Sequence, residues 1–305
     1  MLDLSIIIVN WNTRDLTARC LSDVQATVKK IAYEIIVVDN NSSDGSQDML
    51  RTQFPDVKLI ANADNIGFAR ANNQGMIISD ARYVLLLNSD AFVKADTIDR
   101  MVAFMDEHPD AGMAGCKLLY EDGSLQASCA TFPTLGTEFY IALGLDKLFP
   151  NSKIFGRYLM TDWDYRSTRE VDVIMGAFML ARKSVIDQVG MMDESFFMYS
   201  EEVDWCYRFK AAGWKILFTP EVECVHIWGG SSRAVKVETL IRLYRARVQF
   251  FRKHYGRLTA FLYKIILALN SLVRIVPGAL YYLRSEAGRQ KHYAFRQLLG
   301  AIPGF

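Results

Sequence analysis

Two carboxylates in this chain end runs of apolar residues, at places where folding alone does not call for an acid. Tyr83-Val84-Leu85-Leu86-Leu87 runs into Asn88-Ser89-Asp90, and Glu34–Val38 runs into Asp39-Asn40-Asn41. A carboxylate buried without a partner is costly. Both acids are therefore expected to emerge at the C-terminal edge of a parallel sheet, where open α/β folds bind ligands. One could hold a ribose or base edge and the other a metal-bound diphosphate. Asx residues also cap loops, and Asp39 taken alone reads equally well that way.

A second acidic cluster, Glu201-Glu202-Val203-Asp204, opens a helix after the aromatic run Phe196-Phe197-Met198-Tyr199. Acids in a first turn compensate the helix dipole, but a carboxylate beside aromatic walls can also act as general base for a hydroxyl. His226 stands ahead of Trp228-Gly229-Gly230-Ser231, a turn that could let it reach a metal. A lone histidine is otherwise structural. Arg70, within Asn65-Ile66-Gly67-Phe68-Ala69-Arg70, could neutralise a diphosphate or stand as a solvated helix arginine.

The elements that must position these groups alternate. Ser5–Val9, Glu34–Val38, Val57–Ala61 and Tyr83–Leu87 read as buried strands, with helices over Leu16–Lys30, from Gly45 onward and over Ala69–Asp80. The pattern predicts a parallel, doubly wound sheet flanked by helices. Glu121-Asp122-Gly123-Ser124 is a turn signal within Lys117–Ala130, predicting a hairpin. Residues 131–170 are aromatic and irregular, read as a flexible lid or acceptor-facing insertion. Val171–Ala181 returns to a strand, Ser184–Val189 is a short helix stopped by Gly190, and Glu201–Gly213 is a helix backed by a strand over Lys215–Phe218. Asn10-Trp11-Asn12-Thr13 follows the first strand in place of a Gly-rich loop, which argues against a dinucleotide-binding fold and against a P-loop.

The net charge of +1 on 305 residues hides a division. From Arg233 onward, 14 Lys and Arg face only Glu238 and Glu286, a charge of +12, while the preceding part holds 21 basic and 32 acidic residues, a charge of −11. A basic segment seeks a polyanion, either an anionic membrane face or nucleic acid, and no nucleic-acid-binding motif is recognisable. Val237–His254 reads as a basic helix. Leu258–Leu283 is more apolar, but Lys264 and Arg274 interrupt it and Pro277-Gly278 breaks it, so it fails the requirement of about 20 consecutive apolar residues for a span. An interfacial amphipathic helix or helical hairpin fits better, with packing against the body as the alternative. The C-terminal segment could also mediate a homodimer. The five cysteines are odd in number, without metal-ligand spacing, and read as reduced thiols. Leu4–Val9 is too short for a secretory h-region, so a cytoplasmic protein, peripheral on the inner membrane face, is expected.

The ordered set Val9-Asn10-Trp11-Asn12, Val38-Asp39-Asn40-Asn41-Ser42-Ser43-Asp44-Gly45, Asn65-Ile66-Gly67-Phe68-Ala69 and Leu87-Asn88-Ser89-Asp90 resembles the family-two glycosyltransferases of GT-A fold. Gly176-Ala177-Phe178-Met179-Leu180, Met192-Asp193-Glu194-Ser195-Phe196-Phe197 and Glu201-Glu202-Val203-Asp204-Trp205 continue the likeness up to His226. It covers about residues 4–232, and within the family is nearest to bacterial rhamnosyltransferases of cell-surface polysaccharide synthesis. The resemblance implies a GT-A domain over 1–232 and a basic helical extension over 233–305. It implies that Asp39 contacts the nucleoside and that Asn10 and Trp11 line the base pocket, with Gly67, Arg70, Asn88, Ser89 and Gly176 completing the nucleotide-sugar site. Asp90, at the last acid of the family's Asp-X-Asp motif, and His226 would ligate Mg2+ or Mn2+. Glu202 would be the base, with Glu201 or Asp204 as alternatives, because the family's Glu-Asp pair places an Asp there. Asn88 departs from the motif, where the family has its first acid.

The activity so implied is inverting transfer of a sugar, rhamnose from dTDP-rhamnose, to a hydroxyl of a glycan or polyprenyl-linked acceptor. A UDP-hexose donor, or a non-catalytic nucleotide-sugar-binding scaffold, is the alternative. A sugar-phosphate nucleotidyltransferase should carry a Gly-rich basic loop after the first strand, which is missing.

Overall fold

Short Ile- and Val-rich runs, each followed by a polar helix start, fold as expected for buried parallel strands joined by crossover helices. The computed structural model describes residues 2–227, 237–275 and 286–305. In chain order the first elements are β1 (Leu2–Asn10), α1 (Arg14–Thr27), β2 (Tyr33–Asp39), α2 (Ser46–Gln53), β3 (Lys58–Ala61), α3 (Phe68–Ile78) and β4 (Ala81–Leu87). They continue with β5 (Ala91–Val93), α4 (Thr97–Glu107), β6 (Ala111–Leu119), β7 (Leu125–Gln126) and β8 (Cys129–Ala130). After α5 (Leu135–Ala142) and α6 (Leu145–Leu148) come β9 (Arg169–Glu170), β10 (Val173–Ile174), β11 (Phe178–Arg182), α7 (Lys183–Val189), α8 (Glu201–Ala211) and β12 (Lys215–His226). The chain closes with α9 (Val237–Ile275), α10 (Glu286–Ala301) and a 3-10 turn, Ile302–Gly304.

The main sheet runs β3-β2-β1-β4-β11-β6-β12-β5, with β7 on β6 and β9 on β12. Its first four strands are parallel, so Asn10 and Asp39 stand in register at one edge. β11 enters antiparallel between β4 and β6. β12 runs parallel to β6 and antiparallel to β5, pairing His226 with Ala91. Ile6, Ile8, Val37, Leu85, Leu180 and Met101 meet in one core between the sheet and its helices.

Four sequence expectations are revised. The strand expected over Val171–Ala181 divides into β10 and β11, because Met175–Ala177 leaves the sheet and donates from Met175 N to Ser128 O at 2.9 Å. The strand expected over Lys215–Phe218 continues to His226 across an irregularity between Thr219 and Glu223, where Pro220 has no N–H to give. α1 stops at Thr27 rather than Lys30, since Val28 turns extended and Asp99 accepts the Lys29 and Lys30 amides. Residues 131–170, read as irregular, contain α5 with a Thr134 capping box. The expected hairpin forms, with Leu118 opposite Gln126. The turn at Trp228-Gly229-Gly230-Ser231 and the break at Pro277-Gly278 lie outside the described residues.

The chain clusters into two compact units. One comprises Met1–Ala130, Tyr165–Phe197 and Glu201–Arg233; the other comprises Thr131–Asp164, Met198–Ser200 and Ala234–Phe305. The second has its own core, in which Val248, Phe251, Tyr263 and Leu267 pack with Leu298, Ile302 and Phe305. Within it Glu138 faces the buried Arg247 guanidinium at 3.5 Å, and burial raises the Glu138 carboxyl above its ordinary range against the pull of that cation. Gly256 holds φ at 87° and splits α9 into two helices. An 18-residue window of α9 has mean hydropathy 1.6, long and apolar enough to cross a membrane by length and composition only, while Lys264 and Arg274 still interrupt the unbroken apolar run that the sequence reading requires.

Candidate active site

The parallel register brings the ends of β1, β2 and β4 to one edge, and their first polar residues bond to one another. Asn10 is buried and donates from Nδ2 to Asp39 Oδ2 at 2.6 Å, while its Oδ1 accepts from Thr13 and Thr17. Asp39 Oδ1 accepts from the Ser42 amide at 2.9 Å and from Gln47 Nε2 at 2.8 Å. Asp39 thus has its charge distributed over three protein donors and is fully buried, so it fixes the loop at the β2 end as firmly as it could hold a ligand. Asn12 and Arg14 amides bond Ser42 Oγ and Asp44, which ties the loops after β1 and β2 together. Trp11 is left 47% exposed at this edge, a flat apolar face on which a base can stack.

Gly67 opens α3 with φ at 88°, and a side chain there would place Cβ 2.4 Å from Phe197 O. The close approach lets Phe68 N donate to the same carbonyl at 2.8 Å, while Gly67 O accepts from Asn40 Nδ2. Arg70 extends from the first turn of α3 and pairs with Glu194 at 3.6 Å, both well exposed; this acid competes with any diphosphate for it. Gly176 lies against the Phe68 ring, 3.7 Å from a Cβ built there, and its neighbour Ala177 accepts from Asn88 N at 3.1 Å.

At the β4 end, Ser89 turns inward, with Oγ 2.9 Å from Thr13 Oγ1. Asp90 is 9% exposed, and its Oδ1 lies 3.3 Å from His226 Nε2. Pairing of His226 with Ala91 puts the imidazole there, and Ile227 N donates to Asp90 O at 3.0 Å. The other imidazole nitrogen, Nδ1, lies 2.7 Å from Gln126 Oε1. Gln126 is buried and its Nε2 donates to His226 O, which sets its amide so that Oε1 accepts from Nδ1–H. Nε2 is the nitrogen left to face Asp90, and in the neutral ring it is the acceptor, the tautomer that ligates a cation. Asn88 Nδ2, at 3.5 Å from the same Nε2, fits that assignment.

An imidazole nitrogen and a carboxylate oxygen 3.3 Å apart are a donor set that would suit a shared divalent cation. Among the described residues no group of three or more His, Cys, Asp and Glu surrounds one point. Asp90 and His226 would hold such a cation only with further ligands from water or a bound phosphate.

α8 carries the second acidic cluster and is anchored to the loop before it. Trp205 Nε1 donates to Gly190 O, and Arg208 donates to the carbonyls of Val189, Gly190 and Met191. The three acids separate by environment. Asp204 is fully buried and bound by Arg208 Nε at 2.9 Å, so it holds the helix in place. Glu201 is buried, and its Oε2 has no hydrogen-bond partner among the described residues. Burial, reinforced by the charge of Glu202, raises the Glu201 carboxyl well above the carboxylate range. Glu202 is the one of the three left half-buried rather than buried, although its Oε2 is itself enclosed. Cys206, on the same helix, touches the Ile174 amide and is pushed up to about 12 by burial; all five cysteines are buried and free.

Asn10, Asp39, Asn88, Ser89, Asp90 and His226 therefore lie at one sheet edge, with Gly67 and Gly176 on loops bonded to it. Sequence reasoning did not find Gln126, Thr13 or Gln47. Gln126 carries the better signal: it is an amide placed between apolar neighbours just past a predicted turn.

The sequence model described as "Glycosyl transferase family 2" matches residues 5–207. The chain is 27% identical over 234 residues to the N-acetylglucosaminyl-diphospho-decaprenol L-rhamnosyltransferase of Mycobacterium tuberculosis, covering 73% of this chain and 75% of that one. It is 29% identical over 237 residues to the rhamnosyltransferase WbbL of Escherichia coli, covering 72% and 82%. With the dTDP-rhamnosyl transferase RfbF of Shigella flexneri it shares 25% over 286 residues, covering 88% and 87%. Among solved structures, the mannosyltransferase PcManGT of Pyrobaculum calidifontis, in complex with GDP-Man and Mn2+, matches with a TM-score of 0.59 at 16% identity over 99% of this chain and 86% of that one. This last likeness speaks to the fold alone.

Proposed function

The chain belongs to glycosyl transferase family 2, and from that footing we propose that it is an inverting, metal-dependent rhamnosyltransferase using dTDP-rhamnose. The observation that carries this is the pair Asp90–His226, held in ligating form by Gln126 at the sheet edge where nucleotide ligands bind. The rhamnosyltransferase relatives support the donor. The acceptor is a hydroxyl on a glycan or polyprenyl-linked saccharide of a cell-surface polysaccharide.

Trp11 stacks the base, and Asn10 with Asp39 sets the loop that receives the nucleoside. Asp90 and His226 would hold Mg2+ or Mn2+, which when bound would neutralise charge on the diphosphate leaving group. Glu202 takes the acceptor proton as the oxygen attacks the anomeric carbon and the bond to the diphosphate breaks on the opposite face. One displacement inverts the centre, so no covalent glycosyl-enzyme forms. Burial and the neighbouring charge of Glu202 raise the Glu201 carboxyl, which favours Glu202 over Glu201 as the base. The basic segment from residue 233 onward holds the enzyme on the cytoplasmic face of an anionic membrane.

A donor panel of dTDP-rhamnose, UDP-hexoses and GDP-mannose, read by thermal shift with and without Mn2+, tests the assignment, since stabilisation grows with free ligand over its dissociation constant. The largest Mn2+-dependent shift is expected with dTDP-rhamnose. An equal or larger shift with a UDP-hexose would move the enzyme to that donor.

A further inference from the structure

The outward side of α9 after Gly256 is as apolar as the side it packs with. Ala260, Tyr263, Leu267, Asn270 and Ser271 are buried within their own unit. On the opposite side Leu258, Phe261, Leu262, Ile265, Leu269 and Leu272 are exposed, Leu258 at 73%, Phe261 at 58% and Ile265 at 52%. At 3.6 residues per turn these six fall in a stripe about 100° wide, which no charged side chain interrupts. A contiguous apolar face of this kind marks an interaction surface.

We infer that this stripe is the face by which the protein docks, lying in the plane of the surface, on an anionic lipid bilayer. Charge selects the occupant. No Asp or Glu occurs between Glu238 and Glu286, while Arg252, Lys253 and Arg257 lie just ahead of the stripe and Lys264 lies off one flank; Arg274 turns to the inward side, where it donates to the Ile141 and Ala142 carbonyls. Two copies of the chain meeting through this face would bring like-charged borders together. Anionic headgroups above an acyl layer complement both borders and stripe. An in-plane pose follows from the inward side, which packs with Leu298, Ile302 and Phe305. A span would strip that packing and turn Asn270 and Ser271 toward acyl chains. The inference deepens the membrane part of the proposed function, and its test needs neither donor nor acceptor.

The test is sedimentation of the full chain with phosphatidylglycerol–phosphatidylethanolamine vesicles and with phosphatidylcholine vesicles. Binding is expected only with phosphatidylglycerol, released by alkaline carbonate and weakened at least tenfold in F261S/I265S. That variant should keep the wild-type melting temperature and dTDP affinity, which separates loss of docking from loss of fold or of the nucleotide site. In Phe261→Trp, brominated acyl chains should quench the new indole. Binding undiminished in the double variant, an unquenched indole, or resistance to carbonate would overturn the inference. A dimer that the double variant dissociates, without vesicle binding, would reassign the face to a second copy of the chain.

Discussion

Asp90 Oδ1 and His226 Nε2 lie 3.3 Å apart although they are far apart in the sequence. The contact is made by topology: β12 returns antiparallel to β5, and the register that sets His226 against Ala91 brings its ring beside Asp90. Neither strand alone carries a site. A single-residue slip of β12 would turn the imidazole to the other face of the sheet.

Gln126 sets the tautomer of that imidazole, so Gln126→Leu should leave the fold intact and weaken Mn2+ binding about 10- to 100-fold. Titration of Mn2+ by its paramagnetic signal checks this without turnover. Gln126→Glu, which still accepts from Nδ1–H, should retain more affinity than the leucine variant.

The acids of α8 are predicted to separate by function. Glu202→Gln should lower kcat by about 10² to 10⁴, the range for loss of a general base, with donor affinity retained. Asp204→Asn should instead lower the melting temperature, because it leaves Arg208 Nε facing a neutral amide. If Glu202→Gln turns over normally, the base is another group.

Glu201 gives a pH signature. Its folded pKa lies above the ordinary 4.5, through burial and then the charge of Glu202. The folded state therefore holds this proton more tightly than the unfolded chain. The stability so contributed is complete below about 4.5 and is lost as pH rises through the raised folded value. Glu201→Gln removes the ionisation, so its melting temperature should fall less than that of the wild type as pH rises from about 5 upward. Parallel Tm–pH curves for the two proteins would contradict the assignment.

Gly67 combines φ at 88° with a Cβ position 2.4 Å from Phe197 O. Gly67→Ala must move that carbonyl and its bond from Phe68 N, at a cost above about 1 kcal/mol. A lower urea midpoint is expected, together with weaker nucleotide binding.

Much of this is legible in the sequence. The apolar runs ending in Asp39 and Asp90 point to both the parallel strands and the edge at which they meet, because a strand buried on both faces tolerates an acid only where it leaves the sheet. The antiparallel entry of β11 is not legible, since a buried strand reads the same in either direction. Gln126 is not legible as a site residue because its value lies in a contact with His226 that only the β6–β7 hairpin creates. Asp39 reads as a ligand-binding acid in sequence, yet the loop hydrogen bonds that bury it depend on Ser42 and Gln47. The exposed stripe of α9 is hidden because periodicity shows that a helix has apolar residues, not which of two apolar sides is covered.

Everything proposed for catalysis depends on Asp90 and His226 holding a divalent cation that binds the donor diphosphate. Calorimetric titration of dTDP into the protein with Mn2+ and with EDTA tests this most directly. At least tenfold tighter binding with Mn2+ is expected in the wild type, and no difference in Asp90→Asn. Equal affinity with and without Mn2+ in the wild type would contradict it.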